Sequence, residues 1–170
     1  TVYLEPLAIM LSRKSGRPVR MTMSREEVFR GSGATSGAAM TIKMGATKDG
    51  KITGAYAELY LQAGAFPGSP VGPAAMTAFA PYDLANVKVV GFDVVSNRQK
   101  VVAYRAPGAP ISEYGVASVV DELASELGID PIEIRSMNGA KEGTQAAYGV
   151  KFGTIGFQET LDAAKATEHF

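Results

Sequence analysis

The stretch from Val101 to Leu127, VVAYRAPGAPISEYGVASVVDELASEL, constrains the fold more than any other part of the chain. It opens β-prone, with Val101, Val102 and Tyr104, and reads as the end of a buried strand. A seven-residue turn follows, Arg105-Ala106-Pro107-Gly108-Ala109-Pro110-Ile111. Beyond Ser112, Val116, Val119, Val120, Leu123 and Leu127 return at i, i+3, i+4, i+7 spacing, which predicts a helix with one buried face. A strand, a turn of small residues and a helix N-terminus together favour an anion, because first-turn N–H groups are unpaired and the helix dipole is positive there. Arg105 adds a planar fork of donors suited to phosphate or oxo groups. On spacing alone, Arg105 serves equally well to tie the loop down or to pair with a carboxylate of its own chain.

The remaining pattern is not a strict βαβ alternation. Tyr3 to Lys14 has Leu4, Leu7, Ala8 and Leu11 on one helical face, with Pro6 in the first turn and Gly16 as the stop. Pro18 to Thr22 suggests a short strand, and Ser24-Arg25-Glu26-Glu27 is a capping box opening a helix to about Phe29. Gly31 to Ala39 reads as a flexible loop. Thr41 to Met44 and Ile52 to Leu61 alternate around the turn Lys48-Asp49-Gly50-Lys51, which predicts a hairpin with Tyr56 and Tyr60 on one face. Phe66 to Pro81 holds Pro67, Pro70, Pro73 and Pro81 and reads as an irregular segment with one helical turn at 74–78. Val87 to Val95 is a further strand, and Val101 to Tyr104 continues the sheet. Gly128 ends the long helix, Asp130-Pro131-Ile132-Glu133 caps another to about Asn138, and a loop over 141–156 leads to a last helix from Phe157 to about Glu168. The expected fold class is α+β, with a mixed or largely antiparallel sheet and packed helices, in a single domain spanning 1–170.

Composition removes several function classes. Lys+Arg and Asp+Glu both number 17, and no basic block marks a nucleic-acid or membrane surface. There is no apolar run of about 18 residues and no charged-then-apolar leader, so no membrane partner is expected and the expected compartment is cytoplasmic. With no Cys, the chain has no thiolate nucleophile and no cysteine ligands for zinc or an iron–sulfur cluster. The single His, His169, one residue from the end, is expected to fray in solvent rather than bind a metal, and no metal ligands are assigned.

Four collinear stretches carry a family resemblance: LEPLAIMLSRKSGRPVRMTMSREEVF, MTIKMGATKDGKITG, AYRAPGAP and VVDELASELGIDPIEIRSMN. In this order they resemble the molybdopterin-binding large subunit of the xanthine oxidase / aldehyde oxidase family of molybdenum hydroxylases, from about Val2 to Leu161. The resemblance implies that Arg105 lies against the molybdenum cofactor and that Ala106, Pro107 and Gly108 line its seat. It implies a larger oxidoreductase that hydroxylates an aldehyde or heteroaromatic small molecule with oxygen from water. The other domains of the molybdopterin subunit, and iron–sulfur and flavin domains or subunits, would be its partners. Pro107 stands where purine-oxidising members place a substrate-stacking Phe, and no Arg occurs between Arg30 and Arg98 to hold a purine, so a xanthine substrate is not expected.

The family's Gly-rich metal-contacting segment and its general-base Glu match nothing here and are expected in sequence flanking this chain. No residue is therefore assigned as catalytic. Glu5, Glu27 and Glu122 are explained by helix starts and surfaces. The chain alone is expected to hold the cofactor weakly or not at all and to turn over no substrate. The competing reading is a non-catalytic binding or assembly module that keeps the fold without the cofactor.

Overall fold

The computed structural model describes residues 3–168; His169 lies outside them. Helices α1 (Glu5–Ser15) and α2 (Arg25–Gly31) come first, followed by strands β1 (Ala38–Ala46) and β2 (Ile52–Gly64). Next are helix α3 (Val71–Thr77) and strand β3 (Val87–Val95), and then helices α4 (Ala109–Leu127), α5 (Pro131–Asn138) and α6 (Phe157–Lys165). The sheet has three strands in the order β1-β2-β3. β1 and β2 form the antiparallel hairpin expected, with Ile42 opposite Ala57 and Lys43 opposite Tyr56. β3 runs parallel to β2, with Val89 opposite Ala57. The fold is α+β with a mixed sheet.

Alternation along β2 makes the layers. Ala55, Ala57, Leu59 and Leu61 are buried and meet Val116, Val120 and Ala124 of α4, Ala74 and Ala78 at α3, and Ile134 of α5. The core is built largely from Ala and Val, so the helices approach the sheet closely. A Cβ on Gly115 would fall 2.7 Å from the Ile42 side chain, which shows how tightly α4 crosses β1. Tyr56, Glu58 and Tyr60 alternate onto the other face. There the Tyr56 and Tyr60 hydroxyls donate to the Glu58 carboxylate at 2.6 and 2.5 Å, and the Tyr60 ring stacks on Phe92 with centroids 4.6 Å apart.

Three sequence expectations need correction. Residues 18–22 are extended without pairing into a strand. Residues 101–104 do not add a fourth strand: Val101 N–H donates to Ala63 O and Val102 N–H to Ala34 O, and the ladder stops there. The sequence set no burial for the apolar face of α1, and there Leu7 and Leu11 are about half exposed (49% and 47%), with no residue of the helix buried among those described. The loop after α2 is tied down rather than loose: Gly33 N–H donates to the Tyr3 hydroxyl at 2.7 Å and the Ser36 hydroxyl to Gln62 O at 2.7 Å.

At the helix caps the local chemistry is as the sequence implies. Ser24 and Glu27 close the capping box of α2 from both sides, and the Asp130 carboxylate accepts from the N–H groups of Ile132 and Glu133 at the start of α5. α6 ends at Lys165, a turn earlier than its pattern suggests.

Candidate functional site

The turn from Arg105 to Gly108 sits where the segment that follows β3 meets the N-terminus of α4. The helix starts at Ala109, three residues before the expected Ser112, because Pro110 takes the second helical position where its missing N–H costs nothing. The early start changes the electrostatics expected of the turn. Ala109 N–H donates to Ala106 O at 3.2 Å and Ser112 N–H to Gly108 O at 3.0 Å. Pro110 has no N–H, so among the described residues the helix start offers two N–H groups without a backbone acceptor, those of Gly108 and Ile111. The site's positive character rests on Arg105 more than on the helix end.

Arg105 and its neighbours are presented outward. Tyr104, Arg105, Ala106 and Pro107 are exposed, whereas Gly108 is buried. Among the described residues the Arg105 guanidinium has no ion-pair or hydrogen-bond partner; the recorded ion pairs use Arg30, Arg135 and Lys141. Pairing of Arg105 with a carboxylate is therefore not found among the described residues. The turn borders a cleft of about 380 Å³ lined by Thr35, Tyr104, Arg105, Ala106, Gly108, Pro110 and Ile111. A planar cation lacking a protein partner, at the mouth of such a cleft, fits an anionic or oxo-bearing group.

Backbone geometry makes the turn unusual. Ala106 has φ +49°, the one positive φ at a non-glycine position among the described residues. An L-residue with a Cβ held there stores strain, and such strain concentrates at ligand-contacting positions. Gly108, at φ +91°, packs its Cα against α3: an added Cβ would meet the Pro70 carbonyl oxygen and lie 2.7 Å from the Ala74 nitrogen. Beneath the turn, the buried Ser112 hydroxyl lies 3.3 Å from that of Thr77, joining α3 to α4. Pro107 is in the turn but does not line the cleft.

The sequence pattern places Arg105, Ala106 and Gly108 together because they are neighbours in the chain. It gives no sign of Thr35, which enters the cleft on a loop whose Ala34 carbonyl accepts from Val102 N–H, because nothing local in residues 31–39 marks that approach. No group of His, Asp and Glu suited to a metal ion occurs among the described residues, and no helix there is long and apolar enough to cross a membrane.

The outward arginine, the strained small-residue turn and the cleft beside them sit in an α+β fold with a mixed three-stranded sheet. Residues 1–139 match the family of the molybdopterin cofactor-binding domain, and the chain belongs to that family. It is 33% identical over 162 residues to the nicotinate dehydrogenase large molybdopterin subunit of Eubacterium barkeri, covering 92% of this chain and 38% of that protein. It is 30% identical over 169 residues to a xanthine dehydrogenase molybdenum-binding subunit of Escherichia coli O157:H7, covering 96% and 22%. Among solved structures, the aldehyde oxidoreductase of Desulfovibrio gigas superposes with a TM-score of 0.85 at 25% identity, over 97% of this chain and 18% of that one. The chain thus spans well under half the length of these relatives.

Proposed function

We propose that this chain supplies one wall of a molybdenum-cofactor site in an oxidoreductase that hydroxylates an aldehyde or heteroaromatic substrate with oxygen from water. The observation that carries this is Arg105: exposed, unpaired among the described residues, and fixed at the edge of a cleft by a turn that accepts backbone strain. Arg105 would donate to acceptor atoms of the cofactor, and Ala106 and Gly108 would let it approach the backbone closely, with the Ile111 N–H as a further donor. Pro107, exposed on the same turn, keeps the chain rigid beside that seat. The cofactor, when bound, supplies the two-electron redox chemistry; the chain's residues orient it and offset its negative charge.

The names of the relatives, which oxidise nicotinate, xanthine and aldehydes, support a small-molecule carbon substrate. Replacing a carbon-bound hydrogen by hydroxyl from water releases two electrons and two protons. The electrons must leave through redox groups held elsewhere, because this chain has no Cys for an iron–sulfur cluster. Iron–sulfur and flavin domains or subunits would be those partners, and the remaining parts of a molybdopterin subunit would complete the cofactor seat and provide the general base. An isolated chain offering one wall of that seat would hold the cofactor weakly and would not turn over.

The test is Arg105→Ala in the complete molybdopterin subunit, read by molybdenum content and steady-state rate. Loss of a charge-assisted contact of roughly 1.5–3 kcal/mol predicts a drop of about ten- to a hundred-fold in cofactor affinity or turnover. Wild-type metal content together with wild-type turnover would overturn the assignment.

A further inference from the structure

The Arg105 turn does not hold itself up. It is docked along the segment 63–70, which leaves the end of β2. Val101 N–H donates to Ala63 O at 3.0 Å. Gly64, at φ +81°, lies so close to Gln99 that a Cβ there would meet the Gln99 carbonyl, and it would come within 2.8 Å of the Lys100 Cα. The Lys100 ammonium donates to Gly68 O at 2.7 Å. Pro70 ends the segment, and its carbonyl is the surface on which Gly108 rests. Whatever fixes 63–70 therefore fixes the platform of the turn from end to end.

Asp93, on β3, is the group that grips this segment. One carboxylate oxygen accepts from Gly68 N–H at 2.6 Å and the other from Ser69 N–H at 2.8 Å. The Gly68 residue is thus clamped from both sides, its N–H by Asp93 and its carbonyl by Lys100. Register places Asp93 opposite Leu61, near the end of the β2–β3 ladder, so the anchor stands on regular sheet while the segment it holds is irregular. A loop with two glycines and two prolines between 64 and 70 has few hydrogen bonds of its own, so an external acceptor decides its conformation.

We propose that Asp93 is a positioning residue for the Arg105 turn: by holding Gly68 and Ser69 it sets the place of Pro70, and through Pro70 the place of Gly108 and the outward presentation of Arg105. Asp93 touches neither the turn nor the cleft; it acts through the segment between. The role in activity rests on the cofactor reading above, whereas the mechanical link does not. Ser69, and with it the Gly68 N–H, holds the Asp93 carboxyl below its ordinary range, so the clamp is charged at neutral pH.

Hydrogen exchange followed by mass spectrometry tests the link in the chain itself. Asp93→Asn keeps one acceptor oxygen and Asp93→Ala keeps none. Both should speed exchange in residues 64–72 and also in 103–112, by about ten-fold for Ala and less for Asn. The hairpin over 40–60 should exchange as in wild type. Acceleration confined to 64–72, or spread evenly over the hairpin as well, would overturn the proposal. In the complete cofactor-loaded enzyme, Asp93→Ala should lower kcat or molybdenum content several-fold at an unchanged melting temperature. Loss in Arg105→Ala with none in Asp93→Ala would overturn the positioning role. Silence in both would instead refute the cofactor reading, and the exchange result would still decide the link.

Discussion

Gly108 rests on Pro70 with no space between them for a side chain: a Cβ would meet the Pro70 carbonyl oxygen, and φ is +91°. Both obstacles are backbone, so neither yields to a rotamer change. Gly108→Ala should cost about 2–4 kcal/mol, from a disfavoured φ together with overpacking against α3. Denaturant unfolding measures this directly. A loss under about 0.5 kcal/mol would mean that the turn does not sit on Pro70.

Ala106 is the opposite case. Its φ of +49° is tolerated but strained, and its side chain is exposed. Ala106→Gly should relieve roughly 1–2 kcal/mol of strain while giving back about 0.5–1 kcal/mol of chain entropy, a net gain of about 0.5–1 kcal/mol. A rise in melting temperature is the expected outcome. An unchanged or lower value would show that the Cβ makes a compensating contact in the turn.

The hairpin turn is secured from a distance by Asn138, which is fully buried at the end of α5. Its Oδ1 accepts from Ile52 N–H at 2.9 Å, and its Nδ2 donates to Gly50 O at 2.9 Å and Ile134 O at 2.8 Å. Asn138→Ala leaves a buried N–H and carbonyl without partners, at about 1–3 kcal/mol each before any water enters. We expect a loss of at least about 2 kcal/mol in unfolding free energy, and faster amide exchange at Ile52. Protection of that amide at the wild-type level would sink this account.

What could be read from the sequence follows from how local each signal is. The hairpin announces itself in Lys48–Lys51, α2 in Ser24 and Glu27, and the body of α4 in its valines, because each depends on residues within a turn or two. The early start of α4 at Ala109 was also written locally, in Pro110, but a Gly-Pro-rich run fits a longer turn equally well. The expectation of a fourth strand at 101–104 failed for a non-local reason. Val101 and Val102 have the composition of a strand, yet each finds a single acceptor, on two different segments. The stripe on α1 has helical spacing, but spacing does not say whether anything covers it. Within the site, Arg105, Ala106 and Gly108 were legible because they adjoin; Asp93 reaches Gly68 and Ser69 across about 25 residues, and no local pattern encodes that.

Glu113 gives the chain a pH dependence. It lies one turn into α4, where burial pushes its carboxyl up to about 7 against the opposing pull of Arg135. The Arg135 guanidinium is committed elsewhere: it pairs with Asp121 at 2.7 Å and donates to Pro131 O and Ala117 O. The unfolded chain releases this proton at the ordinary carboxylate value, whereas the folded chain keeps it to about 7. Between those values the folded state binds more protons, so this group makes stability fall as pH rises, and its contribution levels off above about 7. Glu27, Glu58 and Asp93 have lowered values and act in the other direction, but only at more acid pH, where their unfolded forms titrate. Glu113 is only half-buried, so screening reduces the effect to about 1 kcal/mol. Glu113→Gln, which is neutral throughout, should flatten the curve between about pH 5 and 7 and leave the variant about 1 kcal/mol more stable than wild type at pH 8. Unfolding measured at pH 5, 6.5 and 8 on both proteins isolates the term, because every other titrating group is common to the pair. Parallel curves for the two proteins across this interval would show that Glu113 ionises in the folded chain at its ordinary value or below.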